Sequence, residues 1–199
     1  MATNLKTPTG RAYHSDNILP VSRMDIMGGG QVTIDGDYAY IGYMYGPEGT
    51  SILDIADPRN PKVIWTTELT DPQAHSHKVR VVGDIMVTNS EQRPRQGLVT
   101  AKVFNEPGVK LWDIRDKTNP KLLNFHRTGG RGVHRFDMDA DYAYISTEME
   151  GYVGNIVMIL DLADPARPEE VGRWAAPGQW QAGGEAYPGD PADAPLRCH

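Results

Sequence analysis

Two histidines in this chain, His77 and His134, are each followed fourteen residues later by a glutamate, Glu91 and Glu148. Imidazole nitrogens converging from neighbouring segments suit a divalent transition metal such as Fe, Zn or Mn. A carboxylate that accepts the second N–H of a ligating imidazole orients the ring. The spacing matters because of what lies between the two residues. His77 precedes Gly83 by six residues and His134 precedes Ala140 by six, and each of these positions sits in a tight turn between two β-rich runs. Antiparallel pairing across such a turn carries the histidine back toward its glutamate. The equivalent positions in an earlier unit are Gly30 and Met44, so that unit lacks both partners together.

The expected metal set is therefore His77, His134 and His199, the last at a position where the next histidine of the series would fall. Glu91 and Glu148 are expected behind them. His75 stands two residues before His77 and shares its face if that stretch is extended. Arg135, beside His134, could orient an anionic substrate; so could Arg131. A plainer reading competes with all of these. A repeated histidine can hydrogen-bond a loop between units, a repeated glutamate can satisfy backbone N–H groups there, and an arginine can close an ion pair. His14 and His126 have no equivalents and read as structural or exposed.

The elements that must position these residues come from a repeat. Leu53-Asp54-Ile55-Ala56-Asp57-Pro58 returns as Trp112-Asp113-Ile114-Arg115-Asp116-Lys117 and as Leu160-Asp161-Leu162-Ala163-Asp164-Pro165, each followed three residues later by Pro61, Pro120 or Pro168. Each copy follows β-rich runs. Self-similarity at roughly 45–60 residues with β content points to propeller blades. Within a unit, a Gly-containing turn joins two strands, a loop leads to a third, and the Asp-Pro turn leads to a fourth. The recurring aspartates sit at strand ends and read as turn-makers. The expected organisation is an N-terminal segment (1–27), blades at 28–70, 71–127 and 128–176, and a linker (177–199) toward a fourth blade. The fold class is all-β: a β-propeller with three four-stranded blades present and an incomplete ring.

Closed propellers typically have four to eight blades. Either these units belong to a longer chain, which the ending at Leu196-Arg197-Cys198-His199 favours, or a second copy closes the ring. The segment 92–107 and the Gly/Pro-rich tail 177–195 are long for connections and read as lids, binding loops or flexible surface. Trp180 and Tyr187 could cover an apolar ligand.

Composition narrows the partners. The net charge is −6 and no basic run occurs, which argues against nucleic acid. The first sixteen residues hold no apolar stretch, so no signal peptide is read, no window reaches a membrane-spanning length, and a soluble cytoplasmic protein is expected. The single cysteine excludes a disulfide framework. No P-loop, dinucleotide fingerprint or nucleophile elbow is present.

The unit Gly36-Asp37-Tyr38-Ala39-Tyr40 followed by Leu53-Asp54-Ile55-Ala56-Asp57-Pro58 resembles the LVIVD repeat family of β-propellers. The resemblance spans about residues 28–175 in three units, of which the second departs from the pattern at Asp116-Lys117 and after Glu91. It implies the fold and says little about activity. Axial histidines with glutamates behind them are similar in arrangement to propeller oxygenases, at the level of architecture alone. Two functions follow as expectations: a metal-dependent enzyme acting on a small molecule, or a non-catalytic propeller scaffold for protein or ligand binding.

Overall fold

Each copy of the aspartate module makes the same turn by the same contacts. The carboxylates of Asp54, Asp113 and Asp161 accept the backbone N–H two residues on, at 3.0, 3.0 and 2.7 Å. Asp57, Asp116 and Asp164 do likewise at 3.0, 3.0 and 3.1 Å. These are Asx turns, in which a side chain mimics a backbone turn. The second unit makes them with Lys117 where the others have proline, so aspartate suffices. Just before each turn, Ile55, Ile114 and Leu162 donate their N–H to the carbonyls of Asp37, Asp84 and Asp141 at 2.8–2.9 Å. The module thus ties each third strand to the hairpin before it.

The computed structural model describes residues 17–26, 29–93 and 104–190. These residues form three antiparallel sheets that do not close into a ring. The first sheet is β1 (Gly29–Asp35), β2 (Tyr38–Tyr43), β3 (Glu48–Asp54) and β4 (Lys62–Glu68), in that order. In the second, the first strand is split into β5 (Ala74–His75) and β6 (Val79–Val82), both paired with β7 (Ile85–Gln92); β8 (Gly108–Asp113) and β9 (Lys121–Arg127) follow. The third is β10 (Val133–Met138), β11 (Tyr142–Glu148), β12 (Asn155–Asp161) and β13 (Glu169–Trp174). The hairpin turns use Gly36 and Gly83 at φ 54° and 58°, a region that favours glycine. A 3-10 turn, Gln181–Gly183, lies in the tail. Among the described residues no helix is long and apolar enough to cross a membrane.

The core lies between sheets, as blade-on-blade packing requires. Tyr40 and Ile52 of the first sheet pack on Val79, Met86, Trp112 and Ile114 of the second. Val87, Val109 and Leu111 of the second pack on Phe136, Ala143, Ile145, Met158 and Leu160 of the third. Met24 and Ile26 lie against Ala39, Ile41, Tyr43 and Leu53 on the outer side of the first sheet. The aligned strand ends around the first strands are where the histidines fall.

Tyr40 is fully buried and its hydroxyl has no partner among the described residues. Burial accordingly pushes its ionisation well above the ordinary tyrosine range. Tyr40→Ala empties the junction between the first two sheets and should cost about 3–5 kcal/mol. Tyr40→Phe keeps the ring and removes an unsatisfied polar group, so it should be neutral or stabilising by up to about 1 kcal/mol. Urea unfolding of the two variants beside the parent chain checks this.

Candidate metal centre

The break between β5 and β6 builds the site. His75 is the residue opposite Glu91 in the antiparallel register. At Ser76 and His77 the chain leaves its own sheet and leans on the first one. Tyr43 donates its N–H to the Ser76 carbonyl at 3.0 Å, and Gln31 donates to the His77 carbonyl at 2.9 Å. That approach needs glycine on the first sheet. A Cβ at Gly30 would lie 2.7 Å from the His77 carbonyl oxygen, and one at Gly42 2.5 Å from that of Ser76. The first unit therefore has no room for a histidine at its equivalent position, because the next unit's backbone occupies the space. Pairing resumes at Val79, opposite Thr88.

On its other side Glu91 bridges to Gly132, just before β10. The carboxylate consequently sits between two units. Its Oε2 lies 2.8 Å from Nε2 of His75, 2.9 Å from Nδ1 of His134 and 3.9 Å from Nδ1 of His77. Its Oε1 is 3.1 Å from the same His134 nitrogen. The three rings form a row, with centroids 4.2 Å apart from His75 to His77 and 5.3 Å from His77 to His134. His75, His77 and Glu91 are buried, while 36% of the His134 side chain is exposed at the open end of the row.

Asn89 sets the proton of the central ring. Its Oδ1 accepts the Lys78 N–H at 2.7 Å, so its amide nitrogen must be the atom that faces His77 Nδ1 at 3.2 Å and the Val133 carbonyl at 2.9 Å. Nδ1 of His77 is then the acceptor, and its proton is on Nε2. Burial and the neighbouring His75 bring the His77 imidazole down to about 3 in spite of Glu91, so it is neutral at physiological pH. Burial works to raise the Glu91 carboxyl, but hydrogen bonds from His75 and His134 outweigh it and bring the group down to about 2. His75 gives its Nε2–H to Glu91. Its Nδ1 is buried with no partner among the described residues.

The donor set is one carboxylate and imidazole nitrogens. The ligating atoms of His75, His77 and Glu91 lie within 4.8 Å of one another. Metal bonds of about 2.0–2.2 Å hold neighbouring ligands roughly 3–3.5 Å apart, so separations of 2.8–3.9 Å need only small side-chain movements. A His/Glu cluster that could hold a metal ion is thus present.

The expected residues distribute unevenly. His77, His134 and Glu91 come together, and His75 joins them as a direct partner of the carboxylate. The sequence pairs Glu91 with His77, but the ladder sets His75 opposite it, with Ser76–Lys78 standing against Asn89 and Ser90 in a one-residue bulge. Glu91 is at the centre rather than behind one histidine. Glu148 accepts the backbone N–H of Arg131 at 3.1 Å. Arg131 also donates to the Gln92 carbonyl at 3.1 Å. Arg135 is exposed and borders a groove of about 310 Å³ with Arg80, Phe136 and Tyr144. His199 lies outside the described residues, as do 94–103 of the long segment. Trp180 lies over Gly183, and its backbone bridges Tyr152. Asn89 joins the cluster without a sequence signal; a lone asparagine in a β-rich run says nothing until its neighbours are known.

The depressed His77 has a measurable consequence. In the metal-free chain the folded ring stays neutral down to about pH 3, whereas the unfolded ring takes up a proton near 6.5. The unfolded state binds more protons in that window, so stability is full above about 6.5 and falls as the pH drops from there toward 3. One proton gives a slope of about 1.4 kcal/mol per pH unit. Urea midpoints between pH 7 and 5 should show it in the parent chain, and His77→Gln should flatten it.

The first and third units match the LVIVD repeat model, at residues 29–66 and 138–176. The second unit, which carries most of the cluster and the long segment after Glu91, lies between the two matches. No curated protein matches the chain significantly. With two of its three units matched and three antiparallel sheets stacked face to face, the chain is an LVIVD repeat protein of propeller-like, all-β fold.

Proposed function

We propose that this protein binds one divalent transition metal through His75, His77 and Glu91, with His134 at the open side, and acts as a metal-dependent enzyme. One observation carries the reading: a buried carboxylate is gathered with three imidazoles at a single junction, in separations close to those of a metal's ligands. The acidity of Glu91 and the neutrality of His77 support it, since a carboxylate and an imidazole that is not protonated at both nitrogens are the forms that bind a cation. The buried Nδ1 of His75, without a hydrogen-bond partner among the described residues, offers an unoccupied lone pair in the same cluster. When bound, the ion would act as a Lewis acid toward a substrate oxygen or a water.

The chain's own residues have distinct tasks. Glu91 supplies charge and fixes the rings of His75 and His134. Asn89 fixes the His77 ring by donating to its Nδ1 and, through Lys78 and Val133, holds the second and third sheets in register at that point. Arg135 is an exposed cation of the third sheet, at the groove it borders with Arg80, Phe136 and Tyr144, and is suited to an anionic small molecule. The donor set fits Fe, Zn or Mn alike.

The test is calorimetric titration of chelator-stripped full chain with Zn(II), Mn(II) and, without oxygen, Fe(II). One ion per chain is expected. Glu91→Gln and His77→Ala should abolish binding. No saturable binding of any of the three ions would refute the proposal and leave the cluster as a hydrogen-bonded joint in a scaffold.

A further inference from the structure

Ser51, Lys110 and Met158 each stand three residues before the aspartate that ends the third strand of their unit, Asp54, Asp113 and Asp161. In the third unit Met158 fills this place and is buried against the second sheet. In the second unit Lys110 fills it. Its Nζ lies 3.9 Å from Oε2 of Glu106 and 5.0 Å from the centre of the Phe125 ring. The gap left beside Lys110 at the junction with the first sheet is about 10 Å³, room for one water at most.

The first unit has only a serine there, and a pocket of about 430 Å³ remains between the first sheet and the segment that covers it. That size suits a small molecule. Ile26 packs on the core of this side and forms one wall, and Val63 forms another. The hydroxyls of Ser51 and Thr66, 2.6 Å apart, line the pocket between them. The charge is one-sided. Glu48 and Glu68 both line the pocket and stand directly opposite each other across β3 and β4. Like charges in that placement destabilise a sheet. Oε2 of Glu48 is buried with no hydrogen-bond partner among the described residues, which adds a desolvation cost. The third carboxylate of the lining, Asp25, is already held by Arg23 at 2.8 Å. The second unit meets no such conflict, because Arg127 stands where the first has Glu68 and Lys110 brings an ammonium group.

We propose that this pocket binds a small organic cation, a primary alkylammonium, which supplies at the first unit the ammonium group that Lys110 supplies at the second. Its nitrogen donates to the carboxylates of Glu48 and Glu68 and to the hydroxyl oxygens beside them. Such charge-assisted bonds offset the repulsion between the two acids. Its carbon chain lies along Ile26 and Val63, as the stem of a lysine lies along apolar surface. The pocket is on the outer side of the first sheet, whereas the His/Glu cluster joins the second and third. The inference is therefore independent of the metal reading.

Titration of the chelator-stripped full chain with n-butylammonium chloride, followed by nitrogen–proton correlation NMR, tests it. Saturable shifts are expected at the amides of Ser51, Thr66 and Glu68, with a Kd on the order of 1 mM for so small a probe. n-Butanol, which has the carbon chain without the charge, should bind at least about tenfold more weakly. Glu48→Gln should weaken the amine at least about tenfold, and Ser51→Lys, which builds the ammonium group into the chain, should abolish its binding. In the ligand-free chain Glu48→Gln should raise the urea midpoint, since it removes one of two opposed charges. That rise separates loss of the site from loss of the fold. No saturable shift, butanol that binds as well as the amine, or a Glu48→Gln chain that binds the amine unchanged would each overturn the proposal. Shifts at these amides with calcium chloride and none with the amine would overturn it too.

Discussion

The interaction on which the local structure depends is the carboxylate of Glu91 held between His75 of its own sheet and His134 of the next. A buried carboxylate without partners would be costly, and its environment answers with two hydrogen bonds at 2.8 and 2.9 Å. Those bonds join two sheets that also share an apolar core and polar contacts between Gln92 and Arg131, Arg80 and Asp137, and Asn124 and Ala166. Apolar packing sets how far apart the sheets lie but is non-directional. The carboxylate, the three rings and Asn89 set where along the strands the sheets meet. Removing the acid would leave two imidazoles facing each other across a buried gap, so this joint and any ion it holds draw on the same atoms.

The backbone is shaped by the same joint. The split of the first strand in the second sheet looks like an irregularity, yet it is what turns His77 out of the ladder and into the row of rings. The first sheet accommodates the split, since Gly30 and Gly42 leave room for the carbonyls of His77 and Ser76. A side chain at Gly30 would push the segment back. The absence of a histidine in the first unit and its presence in the second are therefore two sides of one contact.

The sequence is a good guide wherever a repeat can be read against itself. The aspartate modules place the third strands and their turns, and all three copies make the same Asx contacts even where proline is missing. The pairing of His77 with His134 also follows from the repeat, since equivalent positions of stacked sheets must lie near one another. The partner of Glu91 does not follow, because pattern alone cannot reveal a one-residue bulge in a ladder. Glu148 looks identical to Glu91 in spacing, yet its oxygen takes the Arg131 N–H. What separates the two glutamates is a following sheet bearing a histidine, which Glu91 has and Glu148 lacks among the described residues.

By itself, then, the sequence determined that the fold is all-β, that it is built of three like units, two of them with the LVIVD pattern, and that histidine and glutamate recur in step. These are properties of period and turn chemistry, which are local. The tertiary structure decided which histidine meets which glutamate, that the carboxylate is central, and that Asn89 fixes the middle ring. Those depend on register and on the approach of one sheet to another, where a shift of two residues changes every partner without altering the pattern.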